Sequence, residues 1–232
     1  MLRARPIHFT SRLEPWAELL EALGLVATST DQDWMEFDAG SGRLALHRAA
    51  HGSSEDGATV FAVEVGVLDE FARRTREDGT IAEVTEAAHG ETVQVTARDG
   101  FTFLADPAKR ASDGTWATSG QADPALTVVA TWVSPDVVNA AQELRNIGAR
   151  PRTSDDESAT FSTKNGGILR VVHGAEAESG DLAFEYDGGL EPLLGRLHDA
   201  GIDARIEDEV LYVANPDAAG GAAPASVVVT AA

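Results

Sequence analysis

The sequence predicts an α+β fold built from four copies of one βαβββ plan. Three observations support this prediction. A short apolar run leads into an amphipathic helix four times, a glycine follows each helix, and two or three further strand-like runs come before the next copy. A repeat of this kind indicates supersecondary units that bury their apolar faces against one another. The copies, called modules 1 to 4, span about residues 4–50, 58–108, 124–175 and 180–232.

Module 1 opens with a strand over 5–10 and continues into a helix that ends at Gly24. The helix has a buried stripe at i, i+3 and i+7 spacing, formed by Leu13, Trp16, Leu19, Leu20 and Leu23. Strands are predicted at 34–37 and 43–47. Module 2 has a first strand over 59–65, a helix that ends near Gly79, and strands at 81–85, 92–97 and 101–105, the last two joined by an Asp99-Gly100 turn.

Module 3 opens with a strand over 126–133. Ser134 is predicted to cap its helix with a hydroxyl, and Pro135 to occupy the first helical position. The helix ends at Gly148, and strands follow at 159–163 and 168–173. Module 4 has a first strand over 182–186, a helix that ends at Gly201, and later strands at 209–214 and 226–230.

The odd modules match each other, and so do the even ones. His47 and His173 end similar apolar strands in modules 1 and 3, and the run 61–65 matches the run 182–186 in modules 2 and 4. The chain is therefore predicted to be one double unit, duplicated. Domain 1 would cover 1–108 and domain 2 would cover 124–232, with the polar segment 109–123 as a linker.

Composition narrows the function classes. The formal net charge of -20 opposes binding to a phosphate backbone, so nucleic acid is not an expected partner. No apolar run approaches the length of a membrane helix, and no signal peptide is evident. With no cysteine in the chain, thiolate metal sites and disulfides are excluded. A cytoplasmic protein without a membrane partner is expected.

The βαβββ plan, the run Pro6-Ile7-His8-Phe9, the helix 16–25 and the strand Arg43-Leu44-Ala45-Leu46-His47 resemble the vicinal oxygen chelate superfamily over nearly the whole chain. The resemblance implies two domains, each with two modules in a curved mixed sheet around a cavity. Members include glyoxalase I, extradiol dioxygenases and bleomycin-binding resistance proteins. In catalytic members the cavity usually holds a divalent metal bound by His, Gln and Glu. Such a fold does not by itself specify a function.

The positions that the resemblance assigns to metal ligands hold non-ligating residues, namely Ala45, Val60 and Val171. The sequence therefore favours a protein without a metal cofactor. An alternative stays open, in which His8 and His47 face the same cavity and form half of a divalent-metal site in a lyase, isomerase or dioxygenase with non-standard ligands.

The favoured interpretation is a glyoxalase- or bleomycin-resistance-like protein that binds and sequesters a small molecule. The acidic charge and the aromatic residues indicate a cationic or aromatic ligand. The candidate ligand-binding residues are His8, Trp34, Glu36, His47, Trp132 and His173. For Trp132, burial in the core is an equal alternative, and the two histidines at the strand ends could simply close those strands. Either a monomer with pseudo-dimeric domains or a homodimer is compatible with the duplication.

Overall fold

The computed structural model describes residues 1–87, 89–111, 114–218 and 223–232. These residues confirm the α+β fold class, because each predicted module is present as one strand, one helix and three further strands. Two residues of the predicted linker, 112 and 113, lie outside the described part. Among the described residues, no helix is long and apolar enough to cross a lipid bilayer.

Modules 1 and 2 fill the first half of the chain. Module 1 consists of β2 (Ile7–Thr10), α1 (Leu13–Leu23), β3 (Val26–Thr30), β4 (Trp34–Asp38) and β5 (Arg43–Arg48). Module 2 consists of β7 (Ala62–Val65), α2 (Leu68–Glu77), β8 (Ile81–Ala87), β9 (Gly90–Thr96) and β10 (Thr102–Pro107). Two short strands precede the first strands of these modules, β1 (Leu2–Ala4) before β2 and β6 (Thr59–Val60) before β7.

Modules 3 and 4 repeat the plan. Module 3 consists of β11 (Leu126–Ser134), α3 (Val137–Asn146), β12 (Arg150–Ser154), β13 (Ser158–Ser162) and β14 (Ile168–His173). After a short strand β15 (Glu178–Ser179), module 4 consists of β16 (Ala183–Tyr186), α4 (Leu190–Asp199), β17 (Ala204–Glu207), β18 (Val210–Ala214) and β19 (Ser226–Ala231). The strand after the helix was predicted in module 2, at 81–85, and it is present as β8. In the other three modules this strand was not predicted, and the example of 150–154 shows why, because that run is polar and exposed.

The chain packs into two compact units. Unit 1 contains 1–5, 61–118 and 130–180, and unit 2 contains 6–60, 119–129 and 181–232. Unit 1 therefore holds modules 2 and 3, with strand orders β1-β7-β10-β9-β8 and β12-β13-β14-β11. Unit 2 holds modules 1 and 4, with strand orders β3-β4-β5-β2-β6 and, from the first residues of β11, β11-β16-β19-β18-β17.

This grouping differs from the consecutive domains 1–108 and 124–232 that the sequence led us to expect. The reason is packing, since the core of unit 1 contains residues of modules 2 and 3, and the core of unit 2 contains residues of modules 1 and 4. In unit 2, α1 and α4 bury their apolar faces in one core, and in unit 1, residues of α2 and α3 do so in another. Backbone pairing still involves the first strands of modules 1 and 2, because the short strand β1 pairs with β7 in unit 1 and the short strand β6 pairs with β2 in unit 2.

The predicted glycine stops are confirmed. Gly24, Gly79, Gly148 and Gly201 follow the four described helices with φ of 101, 99, 94 and 76°, the left-handed conformation that glycine adopts without steric cost. The predicted cap of α3 was wrong. Asp136 is the N-cap residue and accepts a hydrogen bond from the backbone N–H of Asn139 at 3.0 Å, whereas the Ser134 hydroxyl donates to Asp99 Oδ2 at 2.7 Å.

Candidate functional site

Each sheet has two faces with different roles. In module 1, Phe37, Leu44 and Leu46 pack in the same core as α1. Because side chains alternate along a strand, the residues between them point to the other side, which we call the helix-free face. Strand register places Trp34 opposite His47, Glu36 opposite Ala45, and Phe9 opposite His47. The helix-free face of module 1 therefore carries Phe9, Trp34, Glu36, Ala45 and His47.

Three of these residues form an aromatic cluster, which we call the His47 cluster. The His47 ring centroid lies 5.1 Å from that of Phe9 and 5.6 Å from that of Trp34, the latter edge-on. All three side chains are half-buried. The His47 Nδ1 atom is buried and has no hydrogen-bond partner within the described residues. An orphaned buried imidazole nitrogen costs free energy unless a ligand or water completes it.

Acidic residues lie next to the His47 cluster on the same face. Glu36 is buried two residues from Trp34, and Asp38 is buried two residues further along β4. The Arg43 guanidinium donates from Nε to Asp38 Oδ1 at 2.7 Å, and its Nη1 lies 4.0 Å from Glu36 Oε2. The backbone N–H of Ser119 also donates to Asp38, at 2.6 Å. Charged groups thus line the helix-free face of module 1 beside the three rings.

His8 does not belong to this cluster, so the alternative in which His8 and His47 share a metal site was wrong. His8 is in register with Leu46 rather than with His47, and it points toward α1. Its ring centroid lies 4.2 Å from that of Trp16. Both ring nitrogens are used, with Nε2 2.9 Å from Asp217 Oδ2 and Nδ1 2.9 Å from Thr59 Oγ1. The two histidines lie on opposite faces of one sheet and cannot ligate a common ion.

Asp217 is the centre of the buried group around His8, which we call the Asp217 network. In addition to His8, it accepts a hydrogen bond from Trp16 Nε1 at 2.6 Å and one from the Thr10 hydroxyl at 2.7 Å. Burial alone would raise the pKa of the Asp217 carboxyl, but the hydrogen bonds from His8, Thr10 and Trp16 outweigh burial and hold its pKa below the ordinary value. The network is closed and buried, so it stabilises unit 2 rather than offering a ligand site.

The helix-free face of module 2 carries a buried ion network that the sequence analysis missed. Arg3 Nε donates to Glu64 Oε2 at 2.6 Å, Arg5 Nε lies 3.7 Å from Glu64 Oε1, and Arg5 Nη2 pairs with Asp106 Oδ2. Asp106 also accepts a hydrogen bond from the Thr92 hydroxyl at 2.7 Å and lies 2.9 Å from His89 Nε2. We call this group the Glu64–Asp106 network. Its two carboxylates and its two guanidinium groups are at most 5% exposed.

The ligand positions predicted for module 2 were in the wrong register. Val60 was predicted as the first-strand position, and the last strand was predicted to end at 105, whereas β10 runs to Pro107 and pairs Asp106 directly with Glu64 of β7. Val171 was also wrongly placed, because it lies in the core of unit 1 rather than on a helix-free face. Arg3 and Arg5 lie too far from Asp106 in sequence for a local pattern to connect them.

A divalent metal does not fit this site. Glu64 and Asp106 have the positions that first-strand and last-strand ligands would need, but guanidinium groups already neutralise both carboxylates at hydrogen-bonding distance. Within the described ranges, no three His, Cys, Asp or Glu side chains form a group that could hold a metal ion. A catalytic metal needs three or four converging ligands and an open position. The residues present satisfy the carboxylates with arginine instead.

Two further candidate residues have other surroundings. Trp132 is fully buried, and its ring stacks on Phe101 with centroids 4.8 Å apart. It therefore belongs to the core of unit 1, which was one of the two predicted alternatives. His173 is exposed at the end of β14, two residues after core residue Val171. Neither residue lies with the His47 cluster, which belongs to unit 2.

Comparisons with known proteins give a fold but no close relative. No family model matches the sequence, and no curated protein matches it. Among solved structures, 2,3-dioxygenase LapB from Pseudomonas sp. KL28 is similar with a TM-score of 0.64 and 13% identity, over 99% of this chain and 91% of that one. Homoprotocatechuate 2,3-dioxygenase from Arthrobacter globiformis is similar with a TM-score of 0.62 and 16% identity, over 99% and 78%.

An extradiol ring-cleaving dioxygenase from B. fuscum is similar with a TM-score of 0.62 and 14% identity, covering 98% of this chain and 70% of that one. These likenesses show that the chain has the fold of the extradiol dioxygenases, which are members of the superfamily that the sequence resembles. At such low identity they show the fold alone, so the function has to be argued from the residues of the site.

Proposed function

We propose that the protein binds a cationic aromatic small molecule at the His47 cluster without a metal ion. The observation that supports this proposal is the buried His47 Nδ1 atom, which lacks a partner within the described residues and belongs to a ring packed against Phe9 and Trp34. A ligand N–H group would complete that nitrogen, and the indole would provide a surface for the ligand ring.

The charge of the ligand follows from the surroundings. Aromatic faces attract cations, and an indole does so most strongly. Glu36 and Asp38 lie on the same face as the rings and share the Arg43 guanidinium, so these three side chains together keep a net negative charge. The net charge of -20 attracts cations over a longer range. An ammonium group attached to an aromatic ring therefore meets both requirements at this face.

The first test uses 2-naphthylmethylamine, an aromatic ring with one ammonium group, in a buffer with a chelator. Four tryptophans give four indole N–H resonances, and the amine is expected to shift the Trp34 resonance selectively. His47→Phe keeps a ring but removes Nδ1, so we expect an affinity about tenfold lower, corresponding to one lost hydrogen bond. Calorimetric titration measures that affinity.

Trp116→Phe is the matched control, because it removes one indole from unit 1 and leaves the His47 cluster intact. Its affinity for the amine should equal that of the wild type. Amine binding that leaves the Trp34 resonance in place, or that is unchanged by His47→Phe, would contradict the proposal.

The fold likeness favours a second candidate function, a metal-dependent ring-cleaving dioxygenase like the neighbours described above. The two candidates make different predictions about metal content. Protein purified without chelator is expected to contain divalent Fe, Mn, Zn or Ni well below one ion per chain, because arginine side chains neutralise Glu64 and Asp106. Elemental analysis measures the content.

Oxygen uptake measures directly whether the protein has dioxygenase activity. We expect no uptake with homoprotocatechuate, the compound in the name of the Arthrobacter globiformis neighbour, after addition of Fe²⁺ or Mn²⁺. Stoichiometric metal together with oxygen uptake would favour the dioxygenase and contradict binding without a metal.

A further inference from the structure

We propose that a cavity in unit 1 is a separate binding site for a small aromatic carboxylate. The cavity has a volume of about 430 Å³ and is lined by residues of α2, by the end of α3 and by Trp116. Ligand cavities commonly have volumes of about 300–1,000 Å³, so a molecule with one or two rings would fit. All of the lining residues belong to unit 1, whereas the His47 cluster belongs to unit 2.

The walls of the cavity suit a planar ring. Val67, Phe71, Ile147 and Trp116 supply apolar and aromatic surface. A Cβ atom on Gly66 would lie 3.0 Å from the Trp116 ring carbons, a distance closer than ordinary van der Waals contact. Glycine at this position therefore lets the indole lie directly against the backbone. An aromatic ligand in the cavity would have the Trp116 ring as one wall.

One buried hydroxyl in the cavity has no partner. Thr75 on α2 lines the cavity and is 1% exposed, and its Oγ1 atom has no hydrogen-bond partner within the described residues. Asn146, also on the lining, differs in this respect, because its amide donates to Thr80 Oγ1 and accepts from Gln142 Nε2. A buried polar group without a partner is uncommon in folded proteins and calls for an explanation such as a bound ligand. A carboxylate oxygen would accept the hydrogen bond that Thr75 can donate.

Cations surround the cavity although the protein is strongly acidic. Arg74 and Lys164 line it, and the Arg110 guanidinium lies 3.9 Å from the Trp116 ring centroid. Of the two acidic lining residues, Asp78 is at the exposed end of α2. The other, Glu70, forms ion pairs with Arg73 at 2.9 Å and with Arg74 at 2.6 Å. Because Glu70 is already paired with Arg73 and Arg74, Lys164 and Arg110 supply the positive charge that favours a ligand with a carboxylate over one with an ammonium group.

The test compares two probes that share one ring, 2-naphthoate and 2-naphthylmethylamine. We expect 2-naphthoate to shift the Trp116 indole resonance and to leave the Trp34 resonance in place. Thr75→Val keeps the side-chain shape and removes the hydroxyl, so we expect affinity for 2-naphthoate to fall about tenfold. Because the hydroxyl has no partner among the residues that the structure describes, the thermal midpoint of Thr75→Val should equal or exceed that of the wild type.

Two further variants separate this site from the His47 cluster. Trp116→Leu should weaken 2-naphthoate binding by about tenfold, as expected when a ring contact is lost, and should leave amine binding unchanged. Trp34→Phe should leave 2-naphthoate binding unchanged. The proposal is overturned if 2-naphthoate does not bind, if it binds Thr75→Val as tightly as the wild type, or if the amine displaces it at Trp116. Each of these results can occur whether or not the amine binds at the His47 cluster.

Discussion

Replacement of Asp217 with alanine is expected to lower the free energy of unfolding by about 3–5 kcal/mol, as is typical when a buried charged partner is removed. The Asp217 carboxylate is 4% exposed and accepts hydrogen bonds from His8, Trp16 and Thr10. Alanine would leave these polar groups buried without their acceptor and would open space beside the indole. Chemical denaturation followed by circular dichroism measures the loss.

Two variants test the cause of this loss. Asp217→Asn keeps one acceptor oxygen but no charge, so we expect a loss of about 2 kcal/mol, smaller than that of the alanine variant. Asp181→Ala changes an exposed aspartate of the same unit and should leave stability within about 0.5 kcal/mol of the wild type. Equal losses for Asp217→Ala and Asp181→Ala would show that the network does not stabilise unit 2.

The acid dependence of stability gives an independent measurement. The pKa of Asp217 in the folded protein lies below its ordinary value of 3.8, so the folded state binds this proton less readily than the unfolded state does. Its contribution to stability is therefore fully present above the ordinary pKa and is lost as the pH falls through the lower folded value. The stability difference between wild type and Asp217→Asn should be constant near neutral pH and shrink below about pH 4.

The fold was predictable because its signals are local. The stripe on α1 needs only its own eleven residues, and each helix stop needs one glycine in the left-handed conformation. A duplicated order of such signals determines the βαβββ plan without any knowledge of which modules share a core. The composition of the two compact units was not predictable in this way, because the choice of partner for each helix depends on surfaces distant in sequence.

The orientation of β2 shows why the candidate site was harder to predict. Its residues alternate between apolar Ile7 and Phe9 and polar His8 and Thr10. Alternation alone would place the apolar pair toward the helix. In the structure the polar pair lies there, because Asp217, 209 residues after His8, brings a carboxylate into that layer. The contact that reverses the expected faces is therefore invisible to any local pattern.

Trp132 illustrates a different limit. A large aromatic residue in a strand fits a core and a ligand cavity equally well, so position alone left two alternatives open. Its neighbours show that it belongs to the core. The ring centroids of Phe101 and Phe61 of module 2 lie 4.8 and 6.5 Å from that of Trp132. These contacts join modules 2 and 3 within unit 1, a pairing that the duplication pattern does not predict.

Replacement of Arg5 with methionine is expected to lower the free energy of unfolding by about 3–5 kcal/mol, a loss comparable to that of Asp217→Ala. Methionine fills much of the space of the arginine stem but carries no charge. Among the described residues, the variant would leave Asp106 with the hydrogen bonds from Thr92 and His89, and Glu64 with fewer compensating cations. A buried carboxylate without enough cations around it raises the free energy of the folded state. The protein would relieve part of that cost by local unfolding or by protonation of a carboxylate.

Arg73→Met is the matched control for this prediction. Arg73 also contacts two carboxylates, Glu70 at 2.9 Å and Glu77 at 2.6 Å, but it lies on the surface of α2 with 49% of its side chain exposed. Water already solvates these charges and screens their attraction, so the loss should be much smaller than for Arg5→Met. Similar losses for both variants would mean that burial of the Glu64–Asp106 network adds nothing to the strength of its ion pairs.

Arg5→Met also tests whether a metal ion can replace arginine on the helix-free face of module 2. If the carboxylates of Glu64 and Asp106 were retained to hold a divalent ion, then Zn²⁺ or Mn²⁺ should restore stability to Arg5→Met by binding the folded state. We expect no such recovery in denaturation curves with and without metal, because two carboxylates and one half-exposed imidazole, His89, do not make a converging ligand set. In Arg5→Met, Arg3 still pairs with Glu64. A guanidinium group, and not a metal ion, would therefore remain the partner of that carboxylate.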